Sequence, residues 1–353
     1  MWSLYVMEYT MAMTNNTSGR IYRSESKHSI TAGGEDKGDT VEAIHRTTEL
    51  TVFGKTFEVK NYKCSINGGC YAEKEKPVKI QLSICPTYFC GGKCPFCSMA
   101  GKKDLSGFLD IARLEKVLKE LSDIEAIRGI SITGGEPFTD IVLLNEIVEM
   151  IFNICGVETE ISINTNGSRL YRLFGIKRYD LIDTIHISRH HYDDKKNEAY
   201  FGIKVPSGDE IGDMVKNVND PKLFAFNCLL LADGIGNKEE IVRFLEFAGH
   251  TGVPKVGFIT PVPVNGYVRE NQVPYTDIFD RNDDRFLFTS CYRDFDICRC
   301  RDGVYVTGNG KLVEFYGRET AYGYPGYSRG LTFGPDNILK AGFGDDAEVI
   351  ANL

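Results

Sequence analysis

Between residues 78 and 260 the chain alternates short apolar segments with longer amphipathic ones, and this rhythm admits few folds. The apolar segments predict six strands: Val78–Ser83, Gly129–Thr133, Thr159–Thr165, Leu181–Ser188, Leu223–Leu231 and Lys255–Thr260. We expect a helix between successive strands. Strands that alternate with helices pair in parallel through right-handed crossovers. The rhythm therefore predicts an α/β fold, and by itself it leaves an open barrel and a wound sheet as alternatives.

Three of the predicted helices have a specific signal. Apolar residues recur at helical spacing at Leu114, Val117, Leu118 and Leu121. The segment Ile141–Phe152 is apolar on most sides, as expected of a helix packed against a sheet. Asn237, followed three residues later by Glu240, is typical of the capping residues at a helix start.

The rhythm is absent at both ends of the chain, which predicts three parts: 1–75, 76–263 and 264–353. Residues 11–45 are polar and predict a loosely packed lead-in, and residues 49–62 alternate in polarity about Gly54-Lys55 as in a β-hairpin. From residue 264 onward Gly, Tyr, Asp and Arg dominate. A second hairpin is predicted there, turning at Gly308-Asn309-Gly310. We interpret residues 264–353 as a separate C-terminal segment.

Composition narrows the classes of partner and compartment. The 353 residues are 42% hydrophobic and 25% charged, with a net charge of −8 that does not favour binding to nucleic acid. The opening residues MWSLYVMEYT lack the pattern of a secretory signal, and no apolar run approaches a membrane span. We therefore expect a cytoplasmic protein with neither nucleic-acid nor membrane partners. The chain has eleven cysteines, and several of them are clustered. In that compartment clustered cysteines are more often metal ligands than members of disulfides.

The densest cysteine cluster is Cys90-Gly-Gly-Lys-Cys94-Pro-Phe-Cys97, directly after the first strand of the rhythm. In a parallel α/β fold this is a loop at the carboxyl end of a strand, where such folds place their active sites. Three thiolates on a four-iron cluster leave one iron open to a substrate or cofactor. The alternative is a structural zinc site that borrows Cys85 as its fourth ligand.

A second motif, Ser131-Ile-Thr-Gly134-Gly135-Glu136-Pro137, closes the next strand. Adjacent glycines let backbone groups approach a ligand closely, although a tight strand-to-helix turn has the same composition. Because the carboxyl ends of neighbouring parallel strands share one edge of the sheet, we expect this motif and the cysteine loop to line the same mouth.

Together these motifs resemble the radical S-adenosylmethionine (SAM) superfamily over residues 78–262. The resemblance rests on CxxxCxxC with an aromatic residue before its last cysteine, followed by GGEP after the next strand. Asn164-Thr-Asn-Gly167 resembles the motif that ends the third strand of the family, and Ile187-Ser188 resembles its fourth-strand ending. Phe226-Asn-Cys228 resembles the fifth strand of peptide- and cofactor-maturing members.

The resemblance implies a partial (β/α)6 TIM-like barrel that binds a [4Fe–4S] cluster and SAM. It implies that Cys90, Cys94 and Cys97 are the cluster ligands. The residues that it implies for SAM are Gly134, Gly135 and Glu136 at the methionine amino group, Thr165, Asn166 and Ser188 at the carboxylate or ribose, and Phe96 at the adenine. One electron, from a donor such as flavodoxin or ferredoxin, would cleave SAM to a 5′-deoxyadenosyl radical that removes a hydrogen atom from the substrate.

The C-terminal segment contains three further cysteines, Cys291, Cys298 and Cys300. The stretch resembles the twitch or SPASM extensions, which bind an auxiliary iron–sulfur cluster. Phe315 stands where that pattern has its last cysteine. Three alternatives stay open: a three-cysteine cluster, a segment without metal, and a site completed by Cys64 or Cys70.

Three residues are candidates for a role in catalysis itself. Cys228 is expected to be a buried core residue, with the alternative that its thiol donates a hydrogen atom to a substrate radical, as in peptide epimerases. His190 follows the fourth strand and is a candidate to bind substrate or move protons, because histidine titrates near neutral pH. Arg189 is a candidate to pair with a substrate carboxylate.

The substrate is predicted to be a peptide, in the maturation of a ribosomally made natural product. The C-terminal resemblance favours this, whereas no winged-helix domain for a peptide leader is recognisable at the start. The alternative is a small metabolite or cofactor precursor, as in the cyclase group that makes the molybdopterin precursor. A non-catalytic binding module stabilised by zinc or a cluster is the third reading.

Overall fold

The computed structural model describes residues 45–62, 80–102, 107–278, 286–294, 297–307, 312–317, 330–342 and 347–353. The predicted lead-in over residues 11–45 lies almost wholly outside these ranges, as do Cys64 and Cys70. Among the helices that the structure describes, none is long and apolar enough to span a membrane.

The first described element is the predicted hairpin, which is confirmed. Strand β1 (His45–Val52) pairs antiparallel with β2 (Lys55–Tyr62), and Val52 lies opposite Lys55. The two turn residues are Phe53 and Gly54, with φ of 49° and 72°. A two-residue turn with positive φ at both positions matches the twist of the strands it joins.

The six strands of the predicted rhythm are confirmed and pair in chain order. They are β3 (Ile80–Ile84), β4 (Ile127–Ile132), β5 (Glu160–Thr165), β6 (Thr184–Ser188), β7 (Phe224–Leu229) and β8 (Lys255–Thr260). Every neighbouring pair from β3 to β8 is parallel. The mixed α/β architecture with a mostly parallel central sheet matches the expected partial barrel.

The helices between these strands follow the prediction except in one connection. They are α1 (Ile111–Asp123), α2 (Ile141–Cys155), α3 (Asp194–Phe201), α4 (Gly208–Asn217) and α5 (Lys238–Thr251). The four apolar positions predicted for α1 are all buried. The β6–β7 connection contains both α3 and α4, whereas β5 and β6 are joined only by 3₁₀ turns. The expectation of a helix between β5 and β6 is therefore wrong.

Side chains on β3–β8 alternate between two different environments. On one face, Ile130, Ile163 and Phe226 share a hydrophobic core with the buried faces of α1, α2 and α5. On the other face, the side chain of Asn227 on β7 donates to Asn164 on β5 across a distance of 3.4 Å. Strand β6 lies between those two strands. Because adjacent strands are about 4.8 Å apart, such a bond requires a face that is concave and lined by polar groups.

Residues 264–353 add strands to both edges of this sheet. Helices α6 (Gly266–Asn271) and α7 (Tyr275–Ile278) come first, followed by β9 (Phe286–Asp294), β10 (Ile297–Thr307), β11 (Leu312–Gly317), β12 (Gly330–Phe333), β13 (Ile338–Ala341) and β14 (Glu348–Asn352). Strand β11 pairs in parallel with β8, and β12 pairs in parallel with β3.

Within the described residues the resulting sheet has twelve strands, in the order β14-β13-β12-β3-β4-β5-β6-β7-β8-β11-β10-β9. Strands β10 and β11 form the predicted C-terminal hairpin, which is confirmed, although its turn lies outside the described residues. Hydrogen bonding to β3 and β8 satisfies backbone groups that would otherwise be exposed at the edges of the barrel strands. The three-part division of the chain stays a prediction.

Candidate active site

The cysteine loop leaves the carboxyl end of β3 and carries Cys90, Cys94 and Cys97, all of them half-buried. Two of the thiols flank Gly92. A β-carbon added at Gly92 would lie 3.4 Å from the Sγ of Cys90 and 3.6 Å from the Sγ of Cys94. Glycine at this position therefore leaves the space between the two sulfurs open. Accessible soft thiols around an open cradle fit a bulky iron–sulfur cluster.

Within the described part of the chain, no three His, Cys, Asp or Glu side chains converge as ligands of one metal ion. A four-iron cluster takes its thiolates at separate corners, so its ligands are not expected to converge in that way. The predicted zinc alternative needed Cys85 as a fourth ligand. The Cys85 side chain is fully buried, and burial raises its pKa to about 12. Without a metal such a thiol stays protonated, so ligation by Cys85 would have to offset the cost of a buried thiolate, and the zinc alternative stays a prediction.

The GGEP turn after β4 is in direct contact with the start of the cysteine loop. The backbone N–H of Gly135 donates to the Thr87 carbonyl oxygen, and that of Glu136 donates to the Phe89 carbonyl oxygen, each at a distance of 2.9 Å. A β-carbon at Gly135 would lie only 2.1 Å from the Phe89 oxygen. The approach of the two backbones therefore requires glycine. An ammonium group is only a donor, so the predicted contact with the SAM amino group would use carbonyl oxygens, not these N–H groups.

The Glu136 side chain connects this turn to the end of β5. Its Oε1 accepts from the Thr165 hydroxyl at 2.7 Å and from the Phe138 N–H at 3.2 Å, and its Oε2 accepts from the Asn166 N–H at 3.0 Å. The carboxyl group is almost completely buried, and this burial raises its pKa. Sequence reasoning assigned only backbone atoms of Glu136 a role and missed this connection.

Asn166 extends the connection to the cysteine loop. Its side-chain Nδ2 lies 3.4 Å from the Sγ of Cys90, and its Oδ1 accepts from the Ser168 N–H at 2.8 Å. The neighbouring Thr165 hydroxyl donates to Glu136 and accepts from Gly167. Ser188 is half-buried at the carboxyl end of β6. The structure thus brings the predicted cluster and SAM residues to one end of the sheet, and their contacts with SAM stay predictions.

His190 supports the cysteine loop from the side of β6. Its ring meets the Phe96 ring edge-on, with 4.6 Å between ring centroids, and stacks on the Phe201 ring, with 5.3 Å between centroids. Its Nδ1 accepts a hydrogen bond from the Leu229 N–H at 3.2 Å. Burial, reinforced by the charge of Arg189, lowers the pKa of His190 to about 3. The imidazole is therefore neutral near pH 7, and its role in binding substrate or moving protons stays a prediction.

Arg189 is buried and occupied within its own chain. Its Nε donates to the His191 carbonyl at 2.8 Å and its Nη1 to the Pro206 carbonyl at 2.9 Å. Its Nη2 pairs with the Asp194 carboxylate near the start of α3. The side chain is 1% exposed, so its guanidinium organises this loop. The expectation that Arg189 pairs with a substrate carboxylate is not supported, because a carboxylate of the protein already fills that role.

Cys228 lies on the outer face of β7, within the hydrophobic core. The side chain is fully buried, and burial raises the pKa of its thiol well above the usual value. It has the same orientation as Phe226, two residues earlier, whereas Asn227 between them reaches the concave face. This placement agrees with the expected core role and does not support hydrogen-atom donation to a substrate on the concave face.

Two further contacts hold the cysteine loop, and sequence reasoning missed both. The Lys93 N–H donates to the carbonyl of Phe201 at the end of α3, over 2.7 Å. The Asn265 side chain, just before α6, donates to the Pro95 carbonyl over 2.8 Å. Asn265 lies between the apolar strand β8 and helix α6, and it caps that helix. A capping residue soon after a predicted strand is the sequence signal that could have placed it at this end of the sheet.

At the same end of the sheet, the Asp233 carboxylate accepts hydrogen bonds from two tyrosine hydroxyls. Tyr200 of α3 donates to it over 2.9 Å, and Tyr267 of α6 donates over 2.7 Å. The Tyr200 ring also lies 5.9 Å from the ring of Phe96 in the cysteine loop. Asp233 thus connects α3 and α6, the two helices next to the residues that hold the loop.

The backbone of the three C-terminal cysteines lies in β9 and β10. Cys291 on β9 pairs with Gly303, and Cys298 on β10 pairs with Arg293. The register of this pair shifts between Arg299 and Gly303, which places Cys300 in the irregular stretch. An auxiliary cluster on these residues stays a prediction.

Comparison with known proteins agrees with this arrangement. The profile of the radical SAM superfamily matches residues 84–267, more than half of the chain. A probable GTP 3′,8-cyclase of Sulfolobus acidocaldarius is 27% identical over 203 residues, which are 56% of this chain and 61% of that protein. A probable GTP 3′,8-cyclase of Pyrococcus horikoshii is 28% identical over 178 residues, which are 49% and 53%. The chain therefore spans less than two thirds of these relatives.

Among solved structures, SuiB of Streptococcus suis bound to S-adenosylmethionine is similar with a TM-score of 0.49 and 15% identity. That alignment covers 77% of this chain and 63% of SuiB. The superfamily uses a [4Fe–4S] cluster and SAM, and the profile match includes the cysteine loop, the GGEP turn and the end of β5. Because the profile match covers more than half of the chain, the chain belongs to the radical SAM superfamily, whose members are iron–sulfur enzymes.

Proposed function

We propose that this enzyme cleaves SAM reductively and abstracts a hydrogen atom from a substrate held at the concave face of the sheet. Cys90, Cys94 and Cys97 would hold the cluster. The observation that carries the proposal is the single connected unit formed by the cysteine loop, the GGEP turn and Asn166. When bound, the cluster and SAM supply one electron and a 5′-deoxyadenosyl radical.

The protein's own residues would position these groups and exclude water. The GGEP turn fixes the start of the cysteine loop, and Asn166 contacts the sulfur of Cys90. Phe96 packs against His190 and Tyr200 on the other side of the loop. Because His190 and Phe201 are both buried, this side of the loop excludes water.

We propose a peptide as the substrate class, and the polar concave face supports it. Asn164 donates to the Ser131 hydroxyl over 2.9 Å and accepts from Asn227, which forms a chain of neutral hydrogen-bonding groups across β4, β5 and β7. Amide side chains carry both a donor and an acceptor, as each peptide group does. A ribosomally made peptide would thus meet matching groups on this face.

A nucleotide or another small metabolite is the second candidate. The relatives described above are named as probable GTP 3′,8-cyclases, and they favour it. The edge of a purine base also presents donors and acceptors that amide side chains can bind. The two candidates differ in a simple assay: formation of 5′-deoxyadenosine should rise with GTP in one case, and with a peptide encoded beside the gene in the other.

The proposed chemistry is tested on the protein purified without oxygen and reconstituted with iron and sulfide. We expect about four irons per chain for a single cluster, or about eight with an auxiliary cluster, and formation of 5′-deoxyadenosine from SAM with dithionite. Cys94→Ala should abolish the product. Cys155→Ala, which removes a thiol at the end of α2, is the matched control and should retain it. Bound zinc without 5′-deoxyadenosine would refute the proposal.

A further inference from the structure

The Asn166 side chain approaches a predicted cluster ligand, Cys90, from outside the cysteine loop. Its Nδ2 lies 3.4 Å from the Sγ of Cys90. The same sulfur accepts from the backbone N–H of Gly92, also at 3.4 Å. Cys90 therefore receives two N–H donors, one from its own loop and one from the end of β5.

The orientation of the Asn166 amide is fixed by its other contacts. Its Oδ1 accepts from the Ser168 N–H at 2.8 Å, which needs an oxygen at that end and so directs the NH₂ end toward the sulfur. Its backbone N–H donates to Glu136 at 3.0 Å, and the Glu136 carboxyl group is buried. The donor is thus held in place before any cluster binds.

A donor at a cluster sulfur stabilises the cluster state that carries more negative charge. One-electron reduction adds a negative charge, and hydrogen bonds to the sulfurs are among the factors that set a cluster's reduction potential. From this geometry we infer that Asn166 raises the reduction potential of the cluster through Cys90 and acts as a positioning residue. This inference rests on the proposed function, because it requires the cluster on Cys90, Cys94 and Cys97.

The test is a redox titration of the reconstituted holoenzyme, followed by electron paramagnetic resonance. Asn166→Ala removes the donor, so we expect the midpoint potential to shift to more negative values while the iron content stays at about four per chain. Asn164→Ala removes a neighbouring amide that contacts Ser131 and Asn227 instead of a sulfur, so its midpoint should equal that of the wild type. An unchanged midpoint in Asn166→Ala, or an equal shift in both variants, overturns the inference.

A second measurement does not depend on the variant retaining its cluster. Wild-type protein is labelled with ¹⁵N at the asparagine side-chain amides, and the reduced cluster is examined by pulsed electron paramagnetic resonance. A weak ¹⁵N coupling is expected from the amide hydrogen-bonded to Cys90, and its absence overturns the inference. If no cluster signal forms in the wild type, the proposed function fails, and that outcome is distinct from an intact signal without a coupling.

Discussion

Gly135→Ala should separate the GGEP turn from the cysteine loop. A β-carbon at this position would lie 2.1 Å from the carbonyl oxygen of Phe89, 2.5 Å from its carbon and 2.6 Å from the oxygen of Tyr88. Ordinary contacts begin near 3.4 Å, and all three atoms belong to backbone. No rotation of a side chain can relieve the overlap, so the backbone of the loop must move away from the turn by about an ångström.

The loss of stability in Gly135→Ala follows from the hydrogen bonds that this movement of the loop breaks. The bonds from Gly135 to Thr87 and from Glu136 to Phe89 contribute about 1 kcal/mol each. Overpacking of a well-packed site costs about 1–3 kcal/mol more. We therefore expect Gly135→Ala to lower the free energy of unfolding by about 3–5 kcal/mol and to reduce the iron bound per chain after reconstitution.

Gly249→Ala is the matched control for this change. Gly249 lies inside α5, and nothing approaches its added β-carbon within 4 Å. Alanine should stabilise the helix there by about 0.5–1 kcal/mol, with iron binding unchanged. Urea unfolding followed by circular dichroism, together with iron analysis, measures both variants. A Gly135→Ala protein within about 1 kcal/mol of the wild type and with full iron content would refute the proposed contact between turn and loop.

Three other predictions address the surroundings of the loop. The pKa of His190 is about 3 in the folded protein and about 6.5 when unfolded, so the unfolded state gains the proton first as the pH falls. The unfolding free energy should then drop by about 2 kcal/mol between pH 6.5 and about pH 4.5. The variant His190→Asn keeps an acceptor for the Leu229 amide but does not titrate, so urea unfolding at several pH values should show this drop in the wild type and not in the variant. Asn265→Ala should cost about 1 kcal/mol and slow iron uptake by freeing Pro95, and normal uptake kinetics would contradict this. Cys228→Ala should lower stability by about 1–3 kcal/mol and leave conversion of the substrate intact. Continued formation of 5′-deoxyadenosine with loss of the substrate-derived product would restore the thiol as a hydrogen-atom donor.

The strands and most helices were predictable because their signal is local. Each of β3–β8 is a short apolar run that is buried on its outer face, and α1 repeats its apolar residues at the period of a helix. The connection from β5 to β6 was not predictable in this way. It contains apolar residues such as Leu170 and Leu173 but folds into 3₁₀ turns, since packing of those side chains overrides their helical propensity.

The positions of the site motifs were predictable, whereas the roles of their neighbours were not. Residue type alone makes Arg189 a candidate for binding a carboxylate, and that is the chemistry it performs, but on Asp194 of its own loop. Residue type likewise makes His190 a titrating group, and burial against Phe96 removes that property. Neither environment could be read from residue type, because burial depends on the tertiary fold, which a chemical motif does not encode.

The partners that hold the cysteine loop are distant in sequence. Asn265 is 170 residues from Pro95, and Asn166 is 76 residues from Cys90. Residues 89–98 have no regular secondary structure, so these distant contacts add to local bonds, such as that from the Cys97 N–H to the Cys94 carbonyl, in holding the loop's conformation. The contacts come from the ends of β4, β5, β6 and β8, and the polar face on which we place the substrate is formed by two of the same strands, β4 and β5, together with β7. If the proposed function holds, one sheet would set both the cluster geometry and the substrate position, which fits an enzyme whose radical must act on a single hydrogen atom.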